Sequence, residues 1–289
     1  MKYADLDGHV YEKESSQDFF LSLLYNSMAG QQSLKLLTRP FVSKLGGAFL
    51  STRLSCLFIP GFIRRNKIDM SQYETKHYTS YNDFFTRKIK DGMRPLPEDK
   101  NILFSPCDSK VSAYRIDNDT KFTVKDTEYS VESLLRSKKA AKHYKGGYAV
   151  ILRLTVDDYH RYCYIDDGTK GDNHFIKGVY HTVNPIANDY TPIYKENARE
   201  YTVLHTEHFG NVTQIEVGAL MVGKIVNHHE SSSVKRGDEK GYFKFGGSTI
   251  VLLFEKDKIA LDKNLLTRTK HQCETKVRQG DPLGISLIK

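Results

Sequence analysis

The sequence predicts an α+β fold: a basic, amphipathic helical N-terminal layer followed by a mostly antiparallel β-sandwich or barrel. Three observations lead there. From Phe19 to Ile68 the chain carries no Asp or Glu but seven Lys or Arg residues, set among large aliphatics. From about Asn101 onward, short β-branched and aromatic runs recur between Gly, Pro, Asp and Asn, the pattern of strands and turns. Finally, 289 residues with 39% hydrophobic and 11% aromatic content are enough to bury a substantial core and argue against disorder.

In the first segment, Leu34, Leu37, Phe41, Leu45 and Ala48 recur three and four apart, which is helical spacing with a basic opposite face. Pro40, Gly46-Gly47 and Pro60-Gly61 predict several short helices instead of one long one. Residues 69–100 read as a polar, partly helical connector closed by the turn-rich GMRPLP. The strand candidates that follow include ILFSPCDSKVSAYRI, KFTV, YAVILRLTV, HRYCYI, GVYHTV, EYTVLHTEHFG, NVTQIEVGALMVGKIV, GYFKF, STIVLLFEK and VRQGDPLGISLI, with one helical insert, YSVESLLRSKKAAKHY. The expected organisation is therefore a helical region and connector over residues 1–100 and a β-rich domain over 101–289.

Composition narrows the function classes. The net charge of +8 is concentrated in the acid-free segment, where Lys35, Arg39, Lys44, Arg53, Arg64, Arg65 and Lys67 lie beside apolar runs. That combination suits an anionic membrane surface, each basic residue near the headgroups contributing about 1 kcal/mol. An ordinary helical layer packed on the rest of the protein is the bland alternative. Nucleic acid fits less well, because the basic residues do not form a polar stripe with stacking aromatics. No apolar run reaches the length a spanning helix needs. The polar, acidic start MKYADLDGHVYEKESS is unlike a signal peptide, so a peripheral protein at the cytoplasmic face of the cell membrane is expected. The four cysteines, at 56, 107, 163 and 273, have neither zinc-site nor disulfide-framework spacing, and no metal is expected.

Three residues in the β-rich part could do chemistry. Ser248, in KFGGST ahead of the apolar run IVLLF, is a nucleophile only if a base takes its proton. His160, in LTVDDYHRYCYIDDG, follows a strand and the turn-forming Asp157-Asp158 pair and could be such a base. Asp108, in LFSPCDSKV, sits in a Pro-led turn. Each has a bland reading as a turn or surface residue, and residue chemistry alone permits a triad without establishing one.

In order along the chain, YNDFFTRKIKDGMRPL, SPCDS, YSVESLL, LTVDDYHR, NVTQIEVGALMVGKI and GYFKFGGSTIVLLF resemble the phosphatidylserine decarboxylases, which are self-cleaving and pyruvoyl-dependent. The likeness covers most of residues 80–289. The basic N-terminal segment matches the family's membrane-associated part more loosely.

The resemblance implies self-cleavage at Gly247-Ser248, with Asp108 orienting His160 and His160 activating Ser248 to attack the Gly247 carbonyl. Ser248 would then become the pyruvoyl cofactor, whose ketone forms a Schiff base with the substrate amine. The products would be a β chain of 1–247 and an α chain of 248–289, held together as a heterodimer because IVLLF reads as a core strand. The implied substrate is phosphatidylserine, decarboxylated to phosphatidylethanolamine and CO2 at an anionic membrane surface, with no role for nucleic acid. Two departures stand out. Cys163 occupies the place of a second histidine often found in YHRxH, which leaves His160 to serve both stages or His181 or His205 to substitute. Ser109 also stands where Gly often follows the aspartate. Other readings are a pyruvoyl decarboxylase of a soluble amino acid, which the basic segment disfavours, and a β-sandwich binding module in which GGST is only a turn.

Overall fold

The structure, a computed structural model, describes residues 2–12, 40–124, 127–179, 193–218, 224–244, 246 and 248–288, without the side chains of residues 40, 43 and 44. Leu34, Leu37, Lys35, Arg39, His181 and Gly247 fall outside it. The strands are β1 (Lys2–Ala4), β2 (Val10–Glu12), β3 (Ile102–Phe104), β4 (Ser109–Arg115), β5 (Lys121–Val124), β6 (Thr127–Ser130), β7 (Tyr148–Leu154), β8 (Arg161–Cys163), β9 (Gly168–Lys170) and β10 (His174–Ile176). They continue with β11 (Arg199–Thr206), β12 (Gly210–Val217), β13 (Ile225–Asn227), β14 (Ser232–Val234), β15 (Glu239–Phe243), β16 (Ser248–Phe254), β17 (Ile259–Leu261), β18 (Glu274–Val277) and β19 (Pro282–Ser286). The helices are α1 (Pro40–Leu50), α2 (Ile59–Asn66), α3 (Tyr81–Phe85), α4 (Val131–Leu135), α5 (Lys138–Ala141), α6 (Ile193–Glu196) and α7 (Lys263–Lys270).

The architecture is α+β and mostly antiparallel. One eleven-stranded sheet runs β14-β9-β11-β12-β16-β7-β4-β18-β1-β2, with β10 also on β11, and its one parallel pair among the described strands is β1 with β18. Strand β16 lies in its middle, between β12 and β7, and every residue of it is buried. That explains why IVLLF, Ile250 to Phe254, is continuously apolar instead of alternating, since both faces are covered. The smaller sheet β13-β15-β8 covers the face that carries Ser248, Ile250 and Glu216; Lys240 of β15 reaches Glu216 of β12 at 2.7 Å, both fully buried.

The expected strands are largely present, with differences that have physical causes. The helical insert is real but breaks into α4, α5 and a 3-10 turn, because Arg136 adopts φ +49° between them. Helix α7, capped by Asp262 through the Asn264 and Leu265 amides, was not expected from KNLLTRTK, a segment too short and polar to show a period. Gly46-Gly47 does not break α1, which starts at Pro40 and runs through both glycines. A mid-helix Gly costs only about 1 kcal/mol, and Asn82 Nδ2 holds the Gly47 carbonyl at 3.2 Å.

The apolar stripe of the N-terminal segment points outward, contrary to a layer packed on the β domain. Phe41, Leu45 and Phe49 on α1, then Leu54, Leu57 and Phe58, are 48 to 81% exposed. The opposite side of this helical unit packs on α3: Ile59, Tyr81, Phe84 and Phe85 form a small core with Phe62 and Ile63. Ser55 Oγ accepts from the Tyr81 amide at 2.8 Å, and Asn82 Nδ2 donates to Ser51 Oγ at 2.9 Å.

Candidate functional site

The site grows from the end of β7. Ser248, first residue of β16, pairs with Leu154, last residue of β7. The chain then turns through Thr155–Asp158, closed by the Asp158 amide donating to the Thr155 carbonyl at 2.8 Å, and returns as β8. That six-residue excursion delivers His160 beside Ser248: Nδ1 lies 3.2 Å from Ser248 Oγ, and both residues are fully buried.

His160 is held on its other side as well. Its Nε2 lies 2.9 Å from the Thr155 carbonyl oxygen. A carbonyl only accepts, so Nε2 carries the proton and Nδ1 presents a lone pair to the Ser248 hydroxyl. Asp158 fixes Thr155 in turn, accepting from its amide at 2.7 Å and its hydroxyl at 2.8 Å. Lys110 on β4 neutralises Asp158 at 2.8 Å, with both side chains over nine-tenths buried. Burial would raise the Asp158 carboxyl, but the Lys110 charge and the hydrogen bonds from Lys110 and Thr155 outweigh it and leave it lowered. Phe85 of α3 closes the pocket, its ring centroid 4.3 Å from that of His160. Desolvation pushes the imidazole down to about 4, against the opposing pull of the Thr155 carbonyl and the Asp158 charge, with Arg87 adding to the depression. His160 is therefore neutral near pH 7, the form a base requires.

The three residues singled out from sequence are not all brought together. Ser248 and His160 meet; Asp108 and His160 do not. Both ring nitrogens are taken, and the Asp108 carboxylate is occupied by Arg94, through Nε at 2.9 Å and Nη2 at 2.6 Å, and by the Gln279 amide at 2.8 Å. The groups that hold His160 in this structure are the Thr155 carbonyl and, through Thr155, Asp158. Asp158 had been legible only as a turn residue, and neither Thr155 nor Lys110 carries a sequence signal.

Cys163 and His205 do not replace a second histidine. Burial raises the Cys163 thiol to about 12, and its Sγ faces the Pro106 carbonyl. His205 pairs with Asn211, beside Val212, which is opposite Phe254 at the far end of β16. At about 3.3 Å per residue, that is roughly 20 Å from Ser248.

The residues fit a group made from Ser248 itself. Gly246, two residues upstream, has φ +133°, a conformation only glycine adopts readily. The serine supplies a Cβ oxygen that can leave, and the strand after it is anchored on both sides.

A buried neutral histidine facing a buried serine at the start of a central strand is the arrangement that activation of a serine hydroxyl within a protein core requires. The phosphatidylserine decarboxylase family matches residues 81–285. Among similar proteins is the phosphatidylserine decarboxylase proenzyme 2 of Clostridium acetobutylicum, 49% identical over 282 residues, 97% of this chain and 96% of that one. The phosphatidylserine decarboxylase proenzymes of Clostridium tetani and Clostridium novyi are 42% and 40% identical, each alignment covering at least 96% of both chains. The chain belongs to the phosphatidylserine decarboxylase family.

Proposed function

We propose that this chain cuts itself at Gly247-Ser248 and then decarboxylates phosphatidylserine to phosphatidylethanolamine and CO2. The observation that carries the reading is the 3.2 Å approach of His160 Nδ1 to Ser248 Oγ, with the tautomer set by the Thr155 carbonyl.

In this reading His160 Nδ1 takes the Ser248 proton while Ser248 Oγ attacks the Gly247 carbonyl, and the peptide bond becomes an ester. Elimination of the carboxylate from Cβ leaves a dehydroalanine at 248. Its hydrolysis releases ammonia and leaves a pyruvoyl group as the N-terminus of the 248–289 chain. Because attacker and carbonyl belong to one chain, no encounter is needed. Once formed, the group supplies the electron-withdrawing carbonyl through which CO2 is lost. His160 then acts at the same spot, holding the proton destined for the product carbon.

The two product chains stay together as a heterodimer. Strand β16 remains laddered to β12 and β7, β18 to β4, and β19 to β3. Asp108 serves here as a tie between the chains, joining Arg94 on one to the Gln279 amide on the other.

The lipid is met at a peripheral surface formed by Phe41, Leu45, Phe49, Leu54, Leu57 and Phe58, flanked by Arg53, Arg64 and Arg65. Among the described residues no helix is long and apolar enough to cross a membrane, and exposed aliphatics beside cations suit the anionic interface. The reaction is tested by CO2 release from phosphatidylserine vesicles against free serine. Release from phosphatidylserine alone is expected; release from free serine alone would assign the chain to a soluble amino acid.

A further inference from the structure

Arg87 follows α3, the helix that touches the exposed apolar unit on one side and His160 on the other. It is 3% exposed, yet no described carboxylate pairs with it. The other buried cations are answered: Arg94 by Asp108, Lys110 by Asp158, Arg153 by Glu274, Lys240 by Glu216, Arg199 by four backbone carbonyls and Lys170 by two, those of Gly171 and Glu230 at 3.1 Å. Among the described residues Arg87 makes only two hydrogen bonds, both long, Nη1 to the Phe84 carbonyl at 3.4 Å and Nη2 to the Tyr73 hydroxyl at 3.3 Å. Its Nε is buried with no partner, the only such Arg or Lys nitrogen among the described residues.

The guanidinium is gripped between rings, its carbon 4.2 Å from the Tyr73 centroid and 4.8 Å from that of Phe84. Those rings fix its plane while leaving its edge hydrogens under-used. A planar, permanently charged fork with free edge donors fits an oxyanion bidentately. A buried charge without a counterion is otherwise costly.

We propose that Arg87 receives the phosphodiester of the lipid headgroup, a proposal that rests on phosphatidylserine being the substrate. The headgroup offers two anions, a phosphodiester and a carboxylate. The carboxylate loses its charge as CO2 departs, so an ion pair to it would stabilise the ground state more than the transition state and slow the reaction. The phosphodiester keeps its charge throughout and can be held without that penalty. Position agrees: the phosphate lies between the acyl chains and the reacting amine, and Arg87 stacks on Phe84 of the core that backs the exposed apolar unit while lying within electrostatic reach of His160. On binding, phosphate oxygens replace the long contacts to Phe84 and Tyr73.

The test uses full-length, self-processed chain with Arg87→Met, which can fill the space between the rings, and Arg87→Lys, which keeps charge without Nε. Fragment yields on a gel, kcat and KM on phosphatidylserine vesicles, and calorimetric binding of glycerophosphoethanolamine, a diester lacking the carboxylate, are measured. Expected are normal self-cleavage in Arg87→Met, KM raised about tenfold or more with kcat little changed, and binding of glycerophosphoethanolamine lost, with Arg87→Lys intermediate. Unchanged KM, or lowered kcat or cleavage with glycerophosphoethanolamine binding intact, would overturn the assignment and leave Arg87 a structural cation. So would serine binding lost in its place, which marks a carboxylate site, or inorganic phosphate binding as tightly as the diester. Should Arg87→Met fail to fold, wild-type binding by Arg87→Lys would overturn it equally. A wild-type chain that binds the diester but releases no CO2 from phosphatidylserine refutes the proposed reaction and not this site.

Discussion

Acidification should unfold an uncleavable form of the chain through His160 more steeply than an ordinary histidine allows. The imidazole sits near 4 in the folded chain against an ordinary 6.5, because burial disfavours its charge. Between those values the unfolded chain binds a proton that the folded chain refuses, so stability is complete above about 6.5 and lost as pH falls toward 4. The gap of about 2.5 units corresponds to about 3 kcal/mol in full, of which about 2 kcal/mol falls between pH 7 and pH 5. The assay is urea denaturation of Ser248→Ala at those two pH values, beside Ser248→Ala/His160→Gln, which cannot titrate at 160. The first variant should lose about 2 kcal/mol more than the second. Equal losses in both would refute a buried, neutral His160.

Other outcomes follow from the same geometry. His160→Gln should slow self-cleavage by about 10²- to 10⁴-fold, seen as uncut chain on a gel time course, as expected for loss of a general base. Asp158→Asn leaves Lys110 without its buried counterion and should cost about 3 kcal/mol in denaturant while slowing cleavage, because Thr155 is no longer held. Asp108→Asn should permit cleavage but let the fragments separate at lower urea than wild type, by size-exclusion chromatography; blocked cleavage with unchanged fragment affinity would restore Asp108 to the catalytic step. Leu45→Glu/Leu57→Glu should abolish co-sedimentation with anionic vesicles while leaving self-cleavage intact.

What could be read from the sequence depended on whether the cause was local. Strands such as Tyr148–Leu154 and Ser248–Phe254 were legible because burial on both faces demands long apolar runs, here AVIL and IVLLF. His160 and Ser248 stood out through their motifs, although nothing in the spacing could say that Leu154 pairs with Ser248 and so brings His160 back to it. Thr155 acts through its backbone carbonyl, which any residue would supply, and so leaves no sequence signal. Asp108 lies against Arg94, fourteen residues earlier, and not against His160, a pairing that order along the chain does not reveal. The outward turn of Phe41, Leu45 and Phe49 was equally hidden, since a helical period shows that one face is apolar without saying what covers it.

The most direct test of the account is the intact mass of the purified chain with sequencing of its products. Two fragments are predicted, the smaller beginning at residue 248 with a blocked, pyruvoyl N-terminus and lighter than the serine-started peptide through the loss of ammonia, and none in Ser248→Ala. A single uncut chain of 33.1 kDa, or cleavage that persists in Ser248→Ala, would contradict it.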